Sequence, residues 1–192
     1  MAVDGRDIET IRQQAEKMAR IKVSQLSEYF EVITEGVVMI ASSETPPVMR
    51  ARLSCWVGTG IFSEEPFAIS AENANRQSDT NSIVYSSRPP LGLIAIGLIE
   101  MGGAARRGGI LSIEPMIERI KDPALSAFLQ MAIDGRDAET IRQRAEKTAE
   151  IKGRQLSEYF EVITEGVLMI ANSETPEVIR QYLSYWVGEI DG

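Results

Sequence analysis

Histidine is absent from the 192 residues, and cysteine occurs once, at Cys55. The first absence removes the commonest general base and metal ligand, and with them every Ser-His and Cys-His catalytic arrangement. The second excludes an intramolecular disulfide framework and suits a reducing, cytoplasmic compartment. Cys55 itself reads as a small apolar residue on a helix face. The chain also lacks a paired-cysteine metal motif and a Walker-type phosphate loop. No metal, cofactor or catalytic group is therefore expected, and the sequence predicts a non-enzyme.

Positive charge is scarce as well. Twenty Lys and Arg stand against 28 Asp and Glu, a net charge of −8, which opposes a broad phosphate-binding surface. Nucleic acid is not an expected partner. Long apolar runs are missing too: the longest, Leu91 to Ile99, ends at Glu100, short of the roughly 20 residues a membrane helix needs. Met1 is followed by Asp4-Gly5-Arg6-Asp7 rather than an apolar stretch, so neither a secretory leader nor a transmembrane segment is expected. With 44% apolar and 25% charged residues, the composition is that of a folded globular chain.

What is present is a repeat. Shifted by 130 positions, Met1 to Gly58 falls on Met131 to Gly188 with 14 mismatches, leaving 44 of 58 residues identical, and Gln25 to Val37 recurs unchanged as Gln155 to Val167. Within a copy, Ile8, Ile11, Ala15, Met18, Leu26, Tyr29, Ile33, Val37 and Ile40 recur at steps of three, four or eight, one face of a helix over about 8–41. Asp7, after Gly5, is the expected N-cap, and Asp137 repeats it. Ser43-Glu44-Thr45-Pro46 then predicts a break and a short second helix through Leu53 and Trp56 to Gly58. Pro176 through Trp186 to Gly188 repeats that element. The expected fold is all-α, a helical bundle built from two copies of a long-helix/short-helix unit. Its expected segments are the first copy (1–58), a polar linker or loop (59–90), and a helical segment plus the second copy (91–192, with the copy at 131–188).

Ser, Asn, Glu and Pro dominate Thr59 to Pro90, where short extended pieces are expected at Phe67 to Ile69 and Ile83 to Tyr85. Helical periodicity returns at Leu91. Asp122-Pro123 marks a further helix start, Leu125, Phe128, Leu129 and Ala132 form an apolar face, and Gly135 supplies the stop.

Leu98-Ile99-Glu100-Met101, followed by Ala105-Arg106-Arg107-Gly108-Gly109-Ile110-Leu111-Ser112-Ile113-Glu114, resembles the cytoplasmic segment after the second membrane helix in the MotA family of flagellar stator subunits. Asp122 to Leu125, Gln130 to Gly135 and Ile141-Arg142 continue the likeness in order. Glu165 to Ala171, Glu174 to Ile179 and Leu183 are similar to the family's cytoplasmic tail, and the first copy carries the same pattern from Glu35 to Leu53. About 100 residues of the second half are covered. The departures are large: the family's two intervening membrane helices are missing, which excludes ion conduction. Gly102, Gly103 and Gly108 stand where the family has charged residues, each weakening a helix by about 1 kcal/mol relative to alanine. The first copy has no counterpart of Ala105 to Gln130.

The resemblance implies a charged docking surface for a rotor component at Arg106 and Glu114, with Arg107 beside them; the plainer reading is a solvated pair on a helical segment. Tyr29, Phe30 and Trp56, with Tyr159, Phe160 and Trp186 in the second copy, are the expected core or association face. Glu35 and Glu165 lie off the apolar stripe and are expected to be solvated, while Gly36 and Gly166 mark close helix crossings. The expected activity is protein association: docking to a flagellar rotor, stator or membrane complex, or self-assembly. A homo-oligomer is expected because the Leu125, Phe128, Leu129 segment occurs once and can cover only one copy, although intramolecular pairing of the copies would close a monomer. A structural assembly subunit, and a sensor or enzyme using a pocket between the copies, are the alternatives.

Overall fold

The computed structural model describes residues 5–62 and 90–187. All regular structure among them is helical. The helices are α1 (Gly5–Ala41), α2 (Pro46–Val57), α3 (Leu91–Gly108), α4 (Glu114–Ile117), α5 (Pro123–Ile133), α6 (Ala138–Ala171) and α7 (Pro176–Val187). Short 3-10 turns occupy Thr59–Phe62 and Ile110–Ile113. No helix among the described residues is long and apolar enough to cross a membrane.

The corner between long and short helix is built alike at both places. The Ser43 N–H donates to the Ile40 carbonyl at 3.0 Å and the Glu44 N–H to the Met39 carbonyl at 2.9 Å, with Ser43 at φ 55°. Ser173 (φ 61°) and Glu174 repeat these bonds to Ile170 and Met169, both at 3.0 Å. This is a Schellman motif with serine where glycine is usual. Proline then opens each short helix, where its missing N–H is harmless.

The two expected N-caps differ. Asp137 caps α6: its Oδ1 accepts from the Thr140 N–H at 2.8 Å and its Oδ2 from the Thr140 hydroxyl at 2.7 Å. Asp7, by contrast, lies inside α1, which begins at Gly5, so its expected capping role is corrected. In the second copy the same letters follow the end of α5. There Gly135 (φ 72°) and Arg136 donate to the Ala132 and Met131 carbonyls, stopping that helix before Asp137 starts the next.

By packing, the chain forms two units whose limits cut across the repeat: residues 31–143 form one, and residues 1–30 with 144–192 the other. The first holds the larger core, in which Ile33, Val37, Ile40, Met49, Leu53, Leu98, Ile113, Phe128, Leu129 and Ile141 are fully buried. Leu125, Phe128, Leu129 and Ala132 of α5 face inward there, as their spacing predicts, under an Asp122 cap accepting from Ala124 and Leu125 N–H. In the second unit Leu26, Tyr29, Phe30, Ala145, Leu156 and Leu168 are buried. Of the polar stretch 59–90, Thr59–Phe62 is a 3-10 turn whose Ile61 lies against Gly92 of α3. The segments Phe67 to Ile69 and Ile83 to Tyr85 lie outside the described residues.

Candidate interaction surface

The first copy shows how an apolar face of a long helix is closed. Ile33, Gly36, Val37 and Ile40 share one side of α1, and Leu98 of α3 rests where a side chain on Gly36 would project: a Cβ built there would stand 2.5 Å from Leu98 Cδ1 and 3.2 Å from its Cβ. About one turn along α3, Gly102 receives the Met49 thioether and the Ile40 side chain. Of the glycines expected to weaken α3, Gly102 is therefore a position through which it approaches α1 and α2, Gly103 has Pro46 of α2 at ordinary contact distance, and Gly108 meets Ser112 instead. At its far end Arg106 Nη1 donates to the Ser43 carbonyl at 2.8 Å, so a cation meets the C-terminal corner of α1, where the helix dipole is negative.

The second copy presents the same residue types uncovered. Ile33, Val37 and Ile40 are 0%, 0% and 2% exposed; their counterparts Ile163, Val167 and Ile170 are 41%, 43% and 66% exposed. On α7, Val178, Tyr182, Tyr185 and Trp186 are exposed, as are Val48 and Trp56 at two of the same positions of α2, whereas Ile179 and Leu183 are half-buried where Met49 and Leu53 of the first copy are fully buried. Among the described residues, a Cβ built on Gly166 would meet only Leu183, from 3.7 Å, an ordinary contact. The close-approach glycine is kept, and its slot is open. The apolar exposure without a parallel in the first copy is thus that of Ile163, Val167 and Ile170 on α6, and Glu174, Glu177 and Arg180 are exposed in the corner and short helix that follow.

Polar contacts flank these faces. Glu35, expected to be solvated, is instead 14% exposed and paired with Arg52 and Arg142, both at 3.0 Å. It does lie off the apolar stripe, but that flank is where α2 and α6 bring their arginines. Glu165 pairs with Arg12 at 3.3 Å and is more open. An open groove of about 630 Å³ lies beside this pair between α1 and α6, lined by residues 12–24 of one and 157–165 of the other. Among the described residues no cluster of Cys, Asp and Glu is placed to hold a metal ion.

The expected site residues are scattered. Arg106 and Arg107 are exposed in the last turn of α3, and Glu114 is exposed at the start of α4. Gly109 (φ 84°) breaks the chain between them, so the pair does not share one helix. Tyr29 and Phe30 are buried edge to face at 5.4 Å, and Tyr159 and Phe160 repeat that geometry at 5.8 Å while half-buried. Trp56 is exposed and donates its indole N–H to Glu31 at 2.9 Å, and Trp186 is exposed on α7. Cys55, read as a small apolar residue on a helix face, lies on α2 and is exposed. Sequence reasoning missed Ile163, Val167, Ile170, Tyr182 and Tyr185; the available signal was that the one segment Leu91–Gly108 stands between two copies. Comparison with protein-family models, curated proteins and solved structures finds no match for this chain.

Proposed function

We propose that this chain is a non-catalytic, cytoplasmic protein-interaction module. In this reading two copies of a long-helix/short-helix unit are present, one closed by α3 and one left to receive a partner. The single observation that supports it is the uncovered face of Ile163, Val167 and Ile170, whose counterparts in the first copy are buried. At roughly 1.5–3 kcal/mol for full burial of one such side chain, three of them supply a substantial part of an association energy. The resemblance to the cytoplasmic part of MotA-type stator subunits suggests a motor or membrane complex as the partner, with Arg106, Arg107 and Glu114 as a charged docking patch of their own. Further copies of this chain would cover the same face, and the homo-oligomer reading rests on it equally.

Light scattering on the full chain at micromolar concentration is the test, combined with capture of partners by the wild type and by Ile170→Asp. A mass above 21.2 kDa, or partners lost on introducing the aspartate, supports an interaction module. A 21.2 kDa particle with no partner sensitive to Ile170→Asp overturns it.

A further inference from the structure

We propose that the open face of α6 and α7 is a receptor for one helix of α3's chemistry supplied by a different polypeptide: apolar, with glycine or alanine along the contact side, and basic at its C-terminal end. The inference rests on the interaction reading and names the occupant. Three observations carry it. First, the face already has a solved counterpart within the chain. Gln25 to Val37 is letter for letter Gln155 to Val167, and the former segment ends on the face where Leu98 fills the space over Gly36. Gly166 keeps that space, and among the described residues only Leu183 borders it.

Second, charge selects the end of the helix that fits. In the first copy Arg106 reaches the Ser43 carbonyl at the left-handed corner after α1. The corner after α6 offers the equivalent Ser173 carbonyl, in the same backbone conformation and beside exposed Glu174. It carries a further exposed carboxylate, Glu177, where the first copy has Pro47. An acidic corner at the C-terminal end of a helix favours an incoming cation. Third, stoichiometry argues against a second copy as donor. Each chain has two receptor faces and one α3, which already lies against Gly36, so a homo-oligomer always has more faces than covering helices.

The test uses the full chain and the fluorescence anisotropy of a labelled peptide. The probe is a synthetic peptide of residues 91–108. Expected is a saturable rise in anisotropy at one peptide per chain. Gly166→Ala should weaken binding about tenfold or more, since the added methyl occupies the slot while its 3.7 Å distance from Leu183 leaves the fold intact. A peptide with glutamate in place of Arg106 and Arg107 should bind several-fold more weakly, the difference shrinking as salt is added. Binding indifferent to Gly166→Ala would overturn the proposal. So would absence of saturable binding, and the mass then separates the two readings. A particle above 21.2 kDa that dissociates on Ile170→Asp assigns the face to a second copy and leaves the interaction reading standing. A 21.2 kDa particle without any Ile170-dependent partner removes both.

Discussion

Arg142 Nη1 lies 3.0 Å from Glu35 Oε2, and Arg12 Nη1 lies 3.3 Å from Glu165 Oε1. The two arginines are equivalent positions of the repeat, as are the two glutamates, so the arginine of each copy pairs with the glutamate of the other. The surroundings differ. Arg52 gives Glu35 a second partner, whereas the position equivalent to Arg52 is Tyr182. Glu35 is 14% exposed and Glu165 30%, so solvent screens the second pair more. Glu35→Ala should cost about 2 kcal/mol, between the surface and buried limits, because it leaves two arginines unpaired. Glu165→Ala should cost less than about 1 kcal/mol. Urea midpoints of the two variants compare them directly, and equal losses would contradict the argument.

The repeat glycines should respond to the same substitution with opposite sign. Alanine in place of glycine inside a helix gains roughly 0.5–1 kcal/mol from backbone entropy. At Gly166 the added methyl has room beside Leu183, so Gly166→Ala should raise Tm. At Gly36 the methyl would stand 2.5 Å from Leu98 Cδ1, with the Leu98 Cβ at 3.2 Å limiting how far that side chain can retreat. Overpacking of this kind costs about 1–3 kcal/mol, which outweighs the entropy gain. Gly36→Ala should therefore lower Tm. A rise in both variants would mean that α3 does not press on α1.

These two cases also mark where the sequence was readable. Local signals held. The period of α1 and α6, the Pro46 and Pro176 starts, and the Asp122 and Asp137 caps depend on neighbours within a few residues, and all are in place. The partner of α3 was not readable. Leu91–Gly108 stands between the copies in sequence, and its apolar stripe fits either. Its placement over the first copy is a tertiary choice expressed through Met49, which fills the space at Gly102 and has isoleucine as its counterpart at Ile179. Glu35 was misjudged for the same reason: periodicity told which side of α1 it occupies, but not that Arg52 and Arg142 arrive there from other helices. Asp7 and Asp137 share their local letters and differ in role, so capping depends on whether the preceding residues end a helix.

The Asp137 cap gives a pH signature. The Thr140 hydroxyl, and after it the Thr140 backbone N–H, hold the Asp137 carboxyl below its ordinary value of 3.8. A carboxyl depressed in the folded state stabilises fully above its unfolded pKa and loses that contribution as pH falls through the folded one. The stability difference between the wild type and Asp137→Asn should therefore be constant at neutral pH and shrink below pH 3.8. Urea unfolding of both proteins across that range checks it. A difference that does not change on acidification would show that the charged cap contributes nothing.

Serine at the two helix corners is a local cost that glycine would relieve. Ser43 and Ser173 sit at φ 55° and 61°, where Cβ crowds the following carbonyl oxygen at about 1–2 kcal/mol per residue. Glycine removes that crowding but also gains freedom in the unfolded chain, returning about 0.4–1 kcal/mol of the benefit. The bonds of each corner are made by backbone groups, and Arg106 contacts Ser43 through the carbonyl oxygen, so none is lost on replacing serine. Ser43→Gly and Ser173→Gly should each stabilise by about 0.5 kcal/mol. The two corners share no hydrogen-bond partner, so the double variant should show the sum. A β-branched residue has no such outlet: Ser43→Val should lower Tm, because its stiff side chain is poorly suited to positive φ. If Ser43→Gly were destabilising, the serine side chain would have to make a contribution larger than the backbone crowding it causes.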